Sequence, residues 1–111
     1  MSEFRRSVVE FLRVLADPTR LEILEYLKGN EKPSSEIQIK LNRSQSTTSK
    51  HLNMLVDNNL IHYDKKNNIK YYKIKNVNIF NLIDRINSIV TDNNKEKFKD
   101  VRDQDIYDTL S

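Results

Sequence analysis

Residues 44–58, SQSTTSKHLNMLVDN, form the segment that decides the fold. Ser44 is a favourable helix N-cap, and Asn42 just before it tolerates the left-handed backbone conformation that a tight turn requires. Small and apolar side chains recur at helical spacing, which predicts one buried face made of Thr48, Leu52 and Leu55. The segment therefore predicts a helix from Ser44 to about Asn58 that directly follows a tight turn.

Three further helices are predicted before this segment. Apolar side chains recur at helical spacing over residues 4–16, which indicates an amphipathic first helix. Asp17 and Pro18 form a favourable start for a second helix, which ends near Gly29 because glycine adopts positive φ easily. A short third helix with a serine N-cap is expected after Pro33. The residues expected to face the core are Leu21, Leu24 and Leu27 in the second helix and Ile37 and Leu41 in the third.

A β-hairpin is predicted after the fourth helix. Residues 60–64 and 69–74 are aromatic and β-branched runs, and the polar residues 65–68 between them predict the turn. Side chains alternate along a strand, so Tyr72 is expected to face the helices and Tyr71 to lie outside with Ile69.

The C-terminal part returns to helical spacing from Val77 to about Asp92. Its apolar stripe is too wide for one side of a small domain, so part of it needs a partner. Residues 93–111 are charged and can form a further helix. We therefore expect residues 1–92 to form the folded domain and residues 93–111 to be a charged C-terminal extension.

The order helix, helix, short helix, turn, helix, hairpin and helix is typical of a winged helix-turn-helix. The predicted fold class is thus mainly α with a small β-hairpin, flanked by N- and C-terminal dimerisation helices. In this architecture the helix after the turn enters the major groove of DNA.

Several classes of function are excluded by the residue inventory. The sequence has no cysteine, so disulfides, thiolate metal sites and cysteine nucleophiles are absent. Its apolar runs are two or three residues long, far short of a membrane span, and the N-terminus lacks a signal-peptide pattern. We expect a cytoplasmic protein without a membrane partner. No serine, histidine and acid stand in a recognisable catalytic context, so no enzyme activity, catalytic residue or cofactor is expected.

Positive charge is concentrated in the middle of the chain. Residues 40–75 carry a net charge of +6, whereas residues 1–39 carry −1 and residues 76–111 carry −2. Lysine and arginine release counterions from phosphates, so a basic block between near-neutral and acidic ends is typical of a nucleic-acid footprint. A solvated charged surface is the alternative interpretation.

The candidate DNA contacts lie in this basic block. Gln45 can pair with the N6 and N7 atoms of adenine, and serine hydroxyls suit several base edges. Lysines on the hairpin fit phosphate contacts beside them. The full set of predicted DNA-binding residues is Arg43, Gln45, Ser46, Thr47, Ser49, Lys50, His51, Lys65, Lys66 and Lys70. For His51, a packing or capping role is an equally good interpretation.

The sequence resembles the ArsR family of prokaryotic winged-helix repressors, also called the arsenic-repressor or SmtB-like family. Residues 15–24, LADPTRLEIL, are similar to the family's second-helix signature, and residues 44–52 resemble its recognition helix. Tyr71 and Tyr72 resemble its wing. The resemblance covers roughly residues 11–75 and implies a homodimer, joined by its first and last helices, that binds double-stranded DNA at an inverted-repeat operator. It also implies a regulator that is often released by a metal ion.

Departures from the family pattern argue against a metal effector. Members that sense soft metals carry cysteines on the third helix, where this chain has SSEIQ at residues 34–38. Members that sense zinc through the last helix use aspartate and histidine pairs, and here that helix offers Asp84 and Asp92 but no histidine. No metal site is therefore predicted, and the effector, small molecule or metal, is left open.

The predicted function is a sequence-specific, DNA-binding transcriptional regulator, and specifically a dimeric repressor. The alternative is a winged-helix interaction module that docks a protein without sequence-specific DNA binding, since a fold alone does not decide function. The side chains predicted to form the dimer interface are Phe4, Val8, Phe11, Leu82, Ile86 and Ile89.

Overall fold

A computed structural model describes the backbone of residues 2–110 and the side chains of residues 2–99. The helices and strands follow one another in the order α1 (Glu3–Leu15), α2 (Pro18–Leu27), β1 (Lys32–Pro33), α3 (Ser34–Leu41), α4 (Gln45–Asp57), β2 (Ile61–Lys66), β3 (Ile69–Ile74) and α5 (Asn78–Leu110). The chain divides into two compact units, with the boundary between Asn76 and Val77. The first unit contains every element except α5. This architecture confirms the predicted fold class.

Two predicted N-caps are present. The Asp17 carboxylate accepts a hydrogen bond from the backbone N–H of Arg20 at 2.9 Å, at the start of α2. The Ser44 hydroxyl accepts one from the backbone N–H of Thr47 at 3.2 Å, at the start of α4. Asn42 has a φ of 52° and ends α3 in the left-handed region. These local signals fix the tight turn between α3 and α4.

The serine cap predicted for α3 is wrong. The N-cap residue is Pro33, which makes no side-chain capping bond, and the helix already begins at Ser34. The reason is a short strand that the sequence analysis missed: β1 pairs Lys32 with Tyr72 and Pro33 with Tyr71. Pairing with β3 therefore fixes the chain where it enters α3.

The core of the first unit lies between the helices and the inner face of the sheet. Thr48, Leu52 and Leu55 are buried as predicted, and so are Leu24, Leu27, Ile37 and Leu41. Leu21 is an exception, since it is 39% exposed. In α2 the buried positions include Ile23 and Arg20 instead, so the inward face of this helix is rotated from the predicted one.

The sheet is antiparallel with strand order β1-β3-β2. The hairpin turn consists of two residues, Asn67 and Asn68, whose φ angles are 54° and 64°. The predicted four-residue turn is wrong because Lys65 and Lys66 belong to β2, paired with Lys70 and Ile69. Two successive left-handed residues match a turn whose twist suits the flanking strands. As predicted, Tyr72 is buried and Ile69 is exposed.

The second unit is the single helix α5, which extends well beyond its predicted end near Asp92. It passes residue 93 without interruption, and the assignment of residues 93–111 as an extension stays a prediction. Along α5, Ile79 and Phe80 are buried, whereas Leu82, Ile86 and Ile89 are exposed. Across the described residues, none of the helices is both long and apolar enough to span a membrane.

Candidate nucleic-acid interface

Helix α4 has one buried face and one polar face. The buried face consists of Thr48, Leu52 and Leu55, at helical spacing. Gln45, Ser46, Ser49, Lys50 and Asn53 are exposed on the rest of the helix. The first three turns of α4 therefore present hydroxyl, amide and ammonium groups to solvent.

The polar side chains at the start of α4 differ in whether they form hydrogen bonds within the protein. The Ser44 hydroxyl donates to Thr47 Oγ1 at 2.9 Å and lies 3.3 Å from Ser46 Oγ. Within the described part of the chain, the side chains of Gln45, Ser49 and Lys50 have no such partner. Of the predicted contacts on α4, these three are the most available for DNA.

A cleft of about 590 Å³ opens between α4 and the hairpin. Ile69, Asn68 and Tyr72 contribute to its hairpin side. Its remaining lining is polar and comes from three places: Gln45, Ser49 and Asn53 on α4, Lys65 and Lys70 on the hairpin, and Ser34 and Ser35 at the start of α3. The fold thus brings predicted base-reading and phosphate-binding residues to one concave surface.

Ser34, Ser35 and Asn53 were not among the predicted contacts. Asn53 lies four residues after Ser49, and this spacing places the two side chains on the same face of a helix. That periodicity could have identified Asn53. The two serines reach the cleft only through the folded chain, and no local signal reveals their position.

The three predicted hairpin lysines have different surroundings. Lys66 forms an ion pair with Glu31, with Nζ and Oε1 2.6 Å apart. The hydrogen bond to Glu31 and the charge of its carboxylate raise the pKa of Lys66. Lys70 lies over the ring of Tyr63 at 4.5 Å. Lys65 lies in the cleft lining, and among the described residues it has no ion-pair partner.

Two other predicted DNA contacts lie in contrasting positions. Arg43 is exposed in the turn between α3 and α4. His51 points inward, and its Nδ1 lies 3.1 Å from Nη1 of Arg20 and 3.9 Å from the Asp17 carboxylate. This arrangement supports the packing interpretation of His51, and its contact with DNA stays a prediction.

The predicted dimer residues lie on faces that each unit leaves partly uncovered. In α1, Phe4 is 80% exposed and Val8 is also exposed, whereas Phe11 is half-buried. In α5, Leu82, Ile86 and Ile89 are exposed, with Ile89 at 60%. Apolar side chains in such numbers on one face of a helix are typical of a surface that is covered in an assembly.

Within the described residues, no group of three or more histidine, aspartate or glutamate side chains is placed to hold a metal ion. The polar groups of the cleft are hydroxyls, amides and ammonium groups, which bind phosphate and base edges rather than metals.

A helix-turn-helix with a polar second helix beside a basic β-hairpin defines a winged helix-turn-helix protein. Comparison with known proteins identifies the family. The family model for the bacterial regulatory protein, arsR family, matches residues 17–63. The chain is 33% identical over 94 residues to the arsenical resistance operon repressor of Staphylococcus aureus, across 85% of this chain and 90% of that protein. The chain belongs to the ArsR family and is a DNA-binding transcriptional regulator.

Solved structures agree with this fold. HlyU from Vibrio cholerae N16961 has a TM-score of 0.67 and 27% identity, across 80% of this chain and 97% of that one. The homodimeric winged helix-turn-helix DNA-binding domain Mb0332 from Mycobacterium bovis, described as a possible ArsR-family transcriptional regulator, has a TM-score of 0.73. At 20% identity, over 86% of this chain and 93% of that domain, the second likeness concerns the fold alone.

Proposed function

We propose that this regulator is a cytoplasmic, homodimeric repressor that occupies an inverted-repeat operator and thereby blocks transcription. The observation that carries the proposal is the cleft in which Gln45 and Ser49 of α4 stand beside Lys65 and Lys70 of the hairpin. Such a surface can read base edges and bind the adjoining phosphates at the same time. The similar Staphylococcus aureus protein is named as a repressor, which supports this direction of regulation.

The side chains divide into two roles. Gln45, Ser49 and Lys50 read bases from the exposed start of α4, and Ser46 and Thr47 assist from hydroxyls that Ser44 orients. The residues that bind the phosphate backbone and fix the register of the protein on DNA are Arg43, Lys65 and Lys70. Lys66 adds a further phosphate contact only when its ion pair with Glu31 is open. His51 supports α4 from the inside.

The dimer is formed by the exposed apolar faces of α1 and α5. The two α4 helices of the dimer then bind the two half-sites of the operator, which are related by the same two-fold symmetry. The homodimeric state of the Mycobacterium bovis domain supports this assembly for the same fold. We propose no catalytic activity and no cofactor for the chain.

The experiment selects bound duplexes from a random pool and then compares Gln45→Ala with wild type in competition assays. Loss of a base contact is expected to weaken binding to the selected duplex by about 1–3 kcal/mol and to leave binding to a scrambled duplex nearly unchanged. Asp57→Ala, at the exposed far end of α4, is the matched control. Selection that yields no preferred sequence would favour the alternative, a module that docks a protein partner.

A further inference from the structure

Arg20 is a buried cation, only 8% exposed, in the interior of a small domain. A buried guanidinium is costly unless its N–H groups are bonded. Here Nε donates to the carbonyl of Val14 at 2.6 Å, and Nη2 donates to the carbonyl of Arg13 at 3.2 Å. Both carbonyls belong to the last turn of α1, where helix carbonyls have no partner within the helix. Arg20 therefore caps the end of α1.

The same guanidinium also reaches the recognition helix α4. Its Nη1 lies 3.1 Å from Nδ1 of His51 and 3.4 Å from Sδ of Met54. These two residues are three positions apart and so lie on one face of α4. One planar side chain on α2 thus joins the last turn of α1 to the inward face of α4.

The bond to His51 defines the state of that ring. An arginine N–H only donates, so Nδ1 of His51 must accept, and the ring proton is assigned to Nε2. The Asp17 carboxylate lies beside both groups, 4.0 Å from Nη1 of Arg20 and 3.9 Å from Nδ1 of His51. Burial raises the pKa of Asp17, but the backbone N–H groups of Arg20 and Thr19, the guanidinium charge and His51 together lower it more, so the carboxyl stays ionised and balances the cation.

We propose that Arg20 is a positioning residue for DNA recognition, which acts through His51 and Met54 to fix the orientation of α4. The inference rests on the proposed function, because it concerns how accurately α4 meets the bases. A guanidinium bonds in several fixed directions within one plane, and any rotation of α4 breaks this geometry. Since Arg20 also holds the end of α1, it links the helix proposed for dimerisation to the helix that reads DNA.

The first test replaces Arg20 by lysine, which keeps the charge and removes the planar set of donors. The probes are a duplex selected from a random pool by the wild-type protein and a scrambled duplex of the same composition. The ratio of the two affinities is expected to fall about tenfold, as for one mismatched base pair. Affinity for the scrambled duplex and the salt dependence should stay unchanged, because the number of phosphate contacts is the same. Arg6→Lys, on the exposed surface of α1, is the control.

The second test uses His51 and does not depend on how well Arg20→Lys folds. In His51→Asn the amide oxygen stands near the place of Nδ1 and can accept from Arg20, whereas His51→Gln places its amide near Nε2. The inference predicts that His51→Asn retains the wild-type affinity ratio and that His51→Gln loses it. A histidine that contacts DNA through Nε2 would give the opposite order and would overturn the inference.

The outcomes separate the two proposals. A wild-type protein that binds both duplexes equally contradicts the proposed function and the inference with it. A wild-type preference that persists in folded Arg20→Lys and in His51→Gln contradicts the inference alone. Equal losses on both duplexes also contradict it, because they indicate damage to the whole fold rather than a misoriented α4.

Discussion

Residues of the same type have different roles in this domain because their surroundings differ. Lys65 and Lys66 are neighbours in β2, yet Lys66 is held by Glu31 while Lys65 lines the cleft beside α4. Arg20 and Arg43 are both arginines, but one is buried among carbonyls and the other is exposed in the turn. Residue type alone therefore predicts a basic surface but does not tell which cations are available to DNA.

The Glu31 carboxylate is expected to weaken DNA binding. In Glu31→Gln the ion pair with Lys66 is removed, so Lys66 can neutralise one more phosphate in each protomer. Affinity should rise, and the slope of log K against log salt should steepen by roughly one per protomer. Fluorescence anisotropy at several salt concentrations measures both quantities. Glu22→Gln, an exposed change on α2, serves as the control, and an unaltered slope would show that Lys66 does not approach the backbone.

The hydroxyl of Thr48 is buried, and among the described residues it has no hydrogen-bond partner. Thr48→Val keeps the shape and removes the unsatisfied group, so the free energy of unfolding should rise by about 1 kcal/mol. Thr47→Val is the matched comparison, because it removes the hydroxyl bonded to Ser44 and should lower stability. Urea denaturation measures the free energy of unfolding of both variants. A clear loss of stability in Thr48→Val would mean that the Thr48 hydroxyl is hydrogen-bonded in solution.

At the scale of elements, the short connections determine how α4 is placed after α3 and how β2 pairs with β3. The turn before α4 depends on Asn42 in the left-handed region and on Ser44 as a cap. The hairpin depends on Asn67 and Asn68, which place Lys65 and Lys70 opposite each other. The elements that present the candidate interface are thus positioned by asparagines at positive φ.

Substitutions at Asn68 test this dependence. Asn68→Gly should leave stability unchanged or slightly higher, because glycine adopts positive φ without steric cost. Asn68→Val should lower the free energy of unfolding by about 1–2 kcal/mol, since a β-branched residue is strained there. DNA affinity should fall only in Asn68→Val, where the hairpin lysines lose their register. Equal stability of the two variants would argue against the two-residue turn.

The elements also show how far sequence reasoning extends. The caps at Asp17 and Ser44 and the buried face of α4 were predicted because they depend on spacing within a few residues. The strand β1, the contact of Glu31 with Lys66 and the cluster around Arg20 were missed. Each joins residues far apart in the chain, and no local pattern encodes such a pairing. Leu21 was misplaced because Arg20, a charged residue, occupies part of the inward face of α2.

At the scale of the whole molecule, charge and apolar surface are separated along the chain. The basic block of residues 40–75 contains α4 and the hairpin, whereas the large exposed apolar side chains of α1 and α5 lie outside it. A regulator that uses one surface for DNA and others for assembly is expected to show this separation.

Ile86→Asp tests the assembly. An unpaired carboxylate buried in an apolar interface is expensive, so the variant should sediment as a monomer and lose most of its affinity for a two-fold symmetric duplex. Ser88→Asp introduces the same charge at an exposed position on α5 and should remain dimeric. Analytical ultracentrifugation distinguishes the two. An intact Ile86→Asp dimer would place the interface elsewhere, for example on α1 alone.

The pairing of β1 with β3 has a consequence for the order of folding. Strands β2 and β3 are joined by two residues, so the hairpin closes at little entropic cost and forms on the microsecond scale typical of hairpins. Strand β1 meets β3 only by closing a loop that contains α3, α4 and β2. That closure becomes favourable once the helices between them have packed. The three-stranded sheet is therefore completed last, and the backbone bonds between β1 and β3 should be the first to open in hydrogen exchange.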